Sequence, residues 1–271
     1  MVVQHNITSM NANRQLSIVG GNVAKATEKL ASGYSINKAA DDAAGLSISE
    51  KMRSQVRGLT RASDNAQDGI SAIQTAEGAL DVQHQILQRA RELVVQASNS
   101  AVLDYSSGDF KKIQQELDQL SAEFNRVSST TQFNKKVLLN GSYTSQYLQV
   151  GANQLQGITV TISKVSWGGV VITEGKGSAN SMQLSAIDSL ITSVSEKRSM
   201  LGAQQNRLEY TIKVDDNTAE NLQAAESRIR DTDMAEEMTR YSKENILQQA
   251  ATSMLATANQ STQGVLSLLN G

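Results

Sequence analysis

The chain has 271 residues, 25 Lys and Arg against 27 Asp and Glu (net charge -2), 39% hydrophobic and 4% aromatic side chains, and neither Pro nor Cys. The balanced charge offers no electrostatic footprint for nucleic acid, no apolar run reaches the ~20 residues that span a bilayer, and the missing cysteines exclude disulfides, thiolate metal sites and a cysteine nucleophile. Proline normally makes up about 5% of a chain; its absence suits long helices, because proline removes a backbone donor and clashes with the preceding turn.

The first residues, MVVQHNITSMNANRQ, lack the basic flank and apolar core of a secretory signal, so a chain that leaves the cell is expected to do so by another route. Val3, Ile7 and Met10 lead into Leu16, Val19, Val23, Ala26 and Leu30, whose 3-4-3-4 spacing predicts a helix with a coiled-coil seam. Gly33 is placed to end it, and Asp41 or Asp42 to cap the next helix. In that second run Val56, Leu59, Ala66, Ile70, Ile73 and Leu80 mark one stripe and Val82, Ile86 and Leu93 a second. Two stripes predict two neighbours. SNSAVLDYSSG (98–108) reads as a loop. Phe110, Ile113, Leu117, Leu120, Phe124 and Val127 then predict a third helix.

From about Thr131 to Gly177 the character changes. VLLNGSY, YLQVGANQ, GITVTISKV and GGVVIT are short runs bounded by Gly and Asn, and Ile158 to Ser163 alternates as a half-buried strand does. A small β-hairpin element is expected here. Helix returns near Ser181, with Ile187, Val194, Leu201 and Leu208 seven apart; Asp215 breaks the series, and Leu222 and Ile229 resume it. A last helix, about 232–269, carries Met234, Met238, Tyr241, Leu247, Met254, Leu266 and Leu269. The predicted fold is mainly α: an elongated antiparallel helical bundle or coiled coil with a small β-hairpin element mid-chain. The simplest packing pairs the first helix with the last.

Chemistry is hard to find. His5 and His84 have no metal-like companion and read as surface or helix-face histidines. GGVVITEGKGS (168–178) misses the phosphate-loop spacing by one and has Gly177 where Ser or Thr would hold magnesium. Asp41, Asp42 and Gly45 lack the alternating ligands of a calcium loop, and Asp231 and Asp233 suit a helix start. Met234, Met238 and Met254 read as packing residues. Apolar seams are the strong signal, and seams need partners.

At both ends these residues resemble one family. LASGYSINKAADDAAGLSISEKMRSQVRGLTRASDNAQDGISAIQTAEGAL (30–80), LQRARELVVQASNSA (87–101) and RVSSTTQFNKKVLLNG (126–141) are similar to the N-terminal region of bacterial flagellin. SRIRDTDMAEEMTRYSKENILQQAATSMLATANQSTQGVLSLLNG (227–271) resembles its C-terminal region. The likeness covers most of the chain outside roughly 142–226 and implies an extracellular filament subunit of the short form, without large outer domains. Residues 1–42 and 232–271 would form an inner coiled-coil domain, and 43–231 a rod-like helical domain with the β-hairpin element at about 132–178. Where the family usually has a proline near its end this sequence reads GlnSerThrGln (260–263), so the terminal helix is expected to run on unbroken.

The implied partners are further copies of the chain in a helical homopolymer, a flagellar export chaperone of the type III apparatus, and the hook–filament junction and filament cap proteins. No nucleic acid, membrane, metal or cofactor is implied. A lone helix with one narrow stripe is marginal in water, so both terminal segments are expected to order only on assembly. Ile7, Leu16, Val19, Val23, Leu30, Leu247, Met254, Leu266 and Leu269 are the expected self-assembly residues. Family members are also sensed by an animal Toll-like receptor; by motif, Arg89 and Leu93 in LQRARELVVQ and Glu116 in IQQEL match receptor-contacting positions, although exposed charges on helices are usually only solvated. VLSLLNG resembles the segment read by cytosolic sensors, with filament packing the competing explanation. Three other classes stand beside a filament protein. A hook–filament junction protein would stop at a small ring, an enzyme lacks any catalytic constellation here, and a generic coiled-coil module explains the seams but not the motifs.

Overall fold

The computed structural model describes residues 6–99, 108–173 and 177–269, with the helical backbone alone at 177–179 and 262–269. Five helices run α1 (Ile7–Ser32), α2 (Ala43–Ser98), α3 (Asp109–Thr130), α4 (Gly177–Arg230) and α5 (Met234–Leu269), with short strands β1 (Gln132–Phe133), β2 (Lys136–Val137), β3 (Gln146–Gln149) and β4 (Gly157–Val160) before α4. The chain forms two compact units, one of Met1–Ser54 with Asn221–Gly271 and one of Gln55–Glu220.

In the first unit the helix ends follow the local chemistry. Asn6 caps α1 by accepting a hydrogen bond from the Ser9 amide at 3.0 Å. Gly33, at φ +76°, closes it in the left-handed conformation that suits a residue without Cβ, and its N–H reaches the Lys29 carbonyl. Of the two candidate caps for α2, Asp42 does the work: its Oδ1 accepts from the amides of Ala44 and Gly45, while Asp41 turns back to the amides of Asn37 and Lys38. Those two backbone hydrogen bonds hold the exposed Asp41 carboxyl below its ordinary pKa. Asp233 caps α5 through the amides of Ala235 and Glu236, and α5 is unbroken through 260–263.

The second unit holds the apolar core. Ile70, Ile73 and Leu80 of α2 and Val194, Leu201 and Leu208 of α4 are buried with Phe124 of α3 and Leu138 and Leu139 after β2. A second cluster joins Leu93 and Val94 to Phe110, Ile113 and Leu117 of α3 and to Ile187 of α4. The expected second stripe on α2 is corrected in part. Ile86 and Leu93 are buried, but Val82 is 44% exposed, and the inward line at that level runs through Gln83 and Leu87. Gln83 is tolerated inside because its amide donates to Ser128 Oγ at 2.8 Å and to the Phe124 carbonyl at 3.3 Å.

The β element is smaller than its sequence suggests. β1 and β2 pair antiparallel across Asn134 and Lys135, both at positive φ (46° and 64°), as a two-residue type I′ hairpin requires. β3 and β4 pair antiparallel with Leu148 opposite Ile158, and the Tyr147 ring lies over Gly157, leaving no room for a side chain there. GGVVIT forms no strand. The Gln114 side chain takes the place of a neighbouring strand, accepting from the Ile172 amide at 2.8 Å and donating to the Val170 carbonyl at 3.4 Å. Val170 and Ile172 are buried in the second cluster. Most of the loop expected at 98–108, and the end of the glycine-rich run, lie outside the described residues.

Candidate functional site

In the first unit α1 packs along α5. The two run antiparallel. At one end the Asn6 side-chain Nδ2 donates to the Ala258 carbonyl at 3.1 Å and Ser9 Oγ donates to Asn259 Oδ1 at 2.7 Å. At the other, Asn22, Ala26 and Lys29 share a small cavity with Glu237 and Arg240. Leu16, Val19, Val23 and Leu30 are half-buried, and Ala26 is 2% exposed, so the 3-4 stripe read from the sequence is the face α1 turns to its partner helix. Ile7 is not part of it: it is 65% exposed, with Met10 and Ile18 also exposed.

The face that α5 returns was not visible in the apolar pattern. Among the described residues its buried and half-buried positions Glu237, Tyr241, Glu244, Gln248, Ala251, Leu255 and Ala258 follow a 4-3 spacing and are mostly polar or small, with half-buried Asn245 beside Glu244. Five of the larger apolar side chains, Met234, Met238, Ile246, Leu247 and Met254, are exposed, Met254 at 66%. A helix that is apolar on several sides suits contact with more than one neighbour. The polar seam is only partly satisfied. Glu237 lies 3.8 Å from Arg240, and one carboxylate oxygen of Glu244 is buried with no hydrogen-bond partner among the described residues. Leu266 and Leu269 belong to α5, but their side chains lie outside the described residues. The signal that could have revealed the seam is the heptad spacing itself, read without regard to hydrophobicity.

The second set of sequence-derived residues sits on the second unit. Arg89 Nε donates to Glu116 Oε1 at 3.0 Å, joining α2 to α3, and its NH1 donates to Glu92 Oε2 at 3.0 Å. Those bonds, Glu116 first, raise the Arg89 pKa. Arg89 and Glu116 are exposed or nearly so, whereas Leu93 is 2% exposed and belongs to the core. The structure therefore puts two of the three on the surface and the third beneath them.

Among the described residues no group of three or more His, Cys, Asp or Glu could hold a metal ion, and no helix is long and apolar enough to cross a membrane. Comparison with known proteins agrees with helices at both ends of the chain. Residues 3–144 match the bacterial flagellin N-terminal helical region and residues 184–269 the bacterial flagellin C-terminal helical region. The chain belongs to the bacterial flagellin family. It is 51% identical to a flagellin of Halalkalibacterium halodurans over 276 aligned residues, covering 99% of this chain and 100% of that one. It is 46% identical to a flagellin of Bacillus subtilis over 304 residues, again covering 99% and 100%. A flagellar filament 31.3 kDa core protein of Treponema maltophilum is 46% identical over 289 residues with the same coverage. As a family member the chain is a structural subunit of the extracellular flagellar filament, which it builds by polymerising with itself, and it is not an enzyme.

Proposed function

We propose that the terminal segments 1–42 and 232–271 form the inner coiled-coil domain of the filament, that 43–231 forms the surrounding rod, and that the terminal helices fold as copies add. The observation that carries this is the split of apolar residues between faces. Leu16, Val19, Val23 and Leu30 hold α1 to α5, while Ile7, Leu247 and Met254 face away from that pairing and stay wet in a single chain. Leu266 and Leu269, further along the α5 backbone, complete the proposed self-assembly residues. Neighbouring copies are the natural cover for the outward residues, through a heterologous contact that propagates instead of closing. Folding the ends only at the growing tip agrees with the small burial within one copy, and with delivery as an unfolded chain by the type III apparatus, with an export chaperone, junction proteins and a cap. Replacing Met254 with Lys tests the outward face. The variant is expected to keep its second unit folded and to leave no pelletable filament; filaments of normal yield would overturn the assignment.

We further propose that the exposed Arg89–Glu116 pair, supported from below by Leu93, is the surface an animal Toll-like receptor contacts. The support is the match of all three residues to the family motif and the exposure of the paired charges. Arg89→Ala is expected to weaken receptor binding by the purified chain, since charged rim contacts act on association; equal affinity would remove Arg89 from the site.

A further inference from the structure

The two linkers of the first unit, between α1 and α2 and between α4 and α5, are tied together by more than chain connectivity. Tyr34 pairs with Asp231 in an isolated antiparallel bridge. The Ser35 amide donates to the Arg230 carbonyl at 2.7 Å and the Thr232 amide to the Gly33 carbonyl at 3.0 Å. The Tyr34 ring carries two guanidinium groups, Arg230 at 4.6 Å and Arg53 at 5.6 Å from its centroid. Arg53 in turn donates to Glu226 at 2.8 Å, and that carboxylate side chain is only 13% exposed. Cation–π contacts strengthen as they are desolvated, and the ion pair beside them is sheltered. Among the described residues the α1–α5 pairing, by contrast, buries no large apolar side chain fully.

We propose that this Tyr34 clamp is the nucleus from which α1 and α5 zip together when a copy joins the filament, a reading that rests on the terminal helices folding on assembly. The helices meet through residues as far as 252 apart in sequence. Forming such a pair from two free arms requires a loop to close before any contact rewards it. The clamp closes that loop at the end of α1 and the start of α5, so each later turn adds to a pair already in register. It sets register as well as proximity, because the Tyr34–Asp231 bridge admits one alignment, and that alignment carries through to the Ser9–Asn259 hydrogen bond at the far end.

A nucleus has a kinetic signature that a structural cross-link lacks. Weakening it slows folding and leaves unfolding nearly unchanged. Seeded elongation and subunit loss on dilution, followed by light scattering with the full chain and sheared filaments of the same protein as seeds, separate the two. Tyr34→Ala, which removes both cation–π contacts, is expected to elongate about tenfold more slowly with a dissociation rate within about twofold of the parent. Tyr34→Phe keeps the ring and is expected to elongate near the parental rate. Should Tyr34→Ala lose its fold, Arg230→Lys, which keeps the charge but not the planar stacking, is expected to slow elongation in the same sense. Elongation at the parental rate in Tyr34→Ala, or a change confined to dissociation, overturns the nucleus. Amide exchange on the free parental chain distinguishes the two ideas. α1 and α5 open, with Tyr34–Ile36 and Arg230–Thr232 protected, supports both. α1 and α5 already protected removes the reading beneath the proposal and the proposal with it. All of these open, the clamp included, overturns the clamp alone.

Discussion

Val23→Asp probes the α1–α5 seam where it is most regular. Val23 lies between the level at which Gly20 approaches Gln248 and the level at which Ala26 and Lys29 meet Glu237 and Arg240. It therefore sits near Tyr241 and Glu244 on the facing helix. Full burial of a valine is worth about 1.5–3 kcal/mol, so a half-buried one contributes roughly 1 kcal/mol. Aspartate also brings a carboxylate to a seam that already holds Glu237 and Glu244, and leaving it poorly solvated costs about 2 kcal/mol more. The sum, roughly 3 kcal/mol per copy, corresponds to about a hundredfold rise in the concentration needed for filament growth, at 1.4 kcal/mol per tenfold. Sedimentation of seeded reactions over a concentration series reads that shift, and urea melts report whether the Gln55–Glu220 core is intact. A variant with an unchanged critical concentration would refute the seam; one that lost its core would show that the two units are not separable in stability.

Other substitutions test other parts. Phe124 is fully buried and meets Trp167 edge-on at 5.3 Å, so Phe124→Ala should destabilise the second unit by about 3–5 kcal/mol in urea melts. Asp215 is 8% exposed, with one oxygen buried and unpartnered among the described residues, and burial, then the charge of Asp216, raises its pKa. A raised folded pKa means that its favourable contribution is present below the ordinary carboxylate range and is lost as pH rises through the folded value. Asp215→Asn should accordingly be more stable than the parent at pH ~7, with the gain shrinking at pH ~3.5; a gain that grows on acidification would reverse the sign. Gly33→Ala should fray the end of α1 by about 1 kcal/mol, because alanine resists φ +76°, seen as faster exchange at Lys29–Ser32 in the filament.

Much of this fold was legible because helix boundaries and core stripes are written in short-range chemistry. Gly33, the acids before α2 and Asp233 mark ends by what their backbones and carboxylates can do alone, and Ile187, Val194, Leu201 and Leu208 recur at the period of a helix. What stayed hidden depends on partners distant in sequence. Gln83 is a core residue only because Ser128 and the Phe124 carbonyl meet its amide. GGVVIT has the composition of a strand, yet it is held by the Gln114 side chain instead of a neighbouring strand. On α5 the apolar residues drew attention to the wrong side of the pairing. The seam toward α1 is polar and small, and the conspicuous Leu247 and Met254 point elsewhere. Tyr34, Arg53 and Arg230 are scattered through the sequence and signal nothing until the linkers are brought together.

The central claim is that the terminal helices take their stability from neighbouring copies. Hydrogen–deuterium exchange on one preparation, measured first as the free chain and then as the filament, tests it most directly. In the free chain the amides along α1 and α5 should exchange freely while those around Ile73, Leu80, Val194 and Leu201 stay protected, and in the filament both sets should be protected. Terminal helices as protected as that core in the free chain would contradict the account.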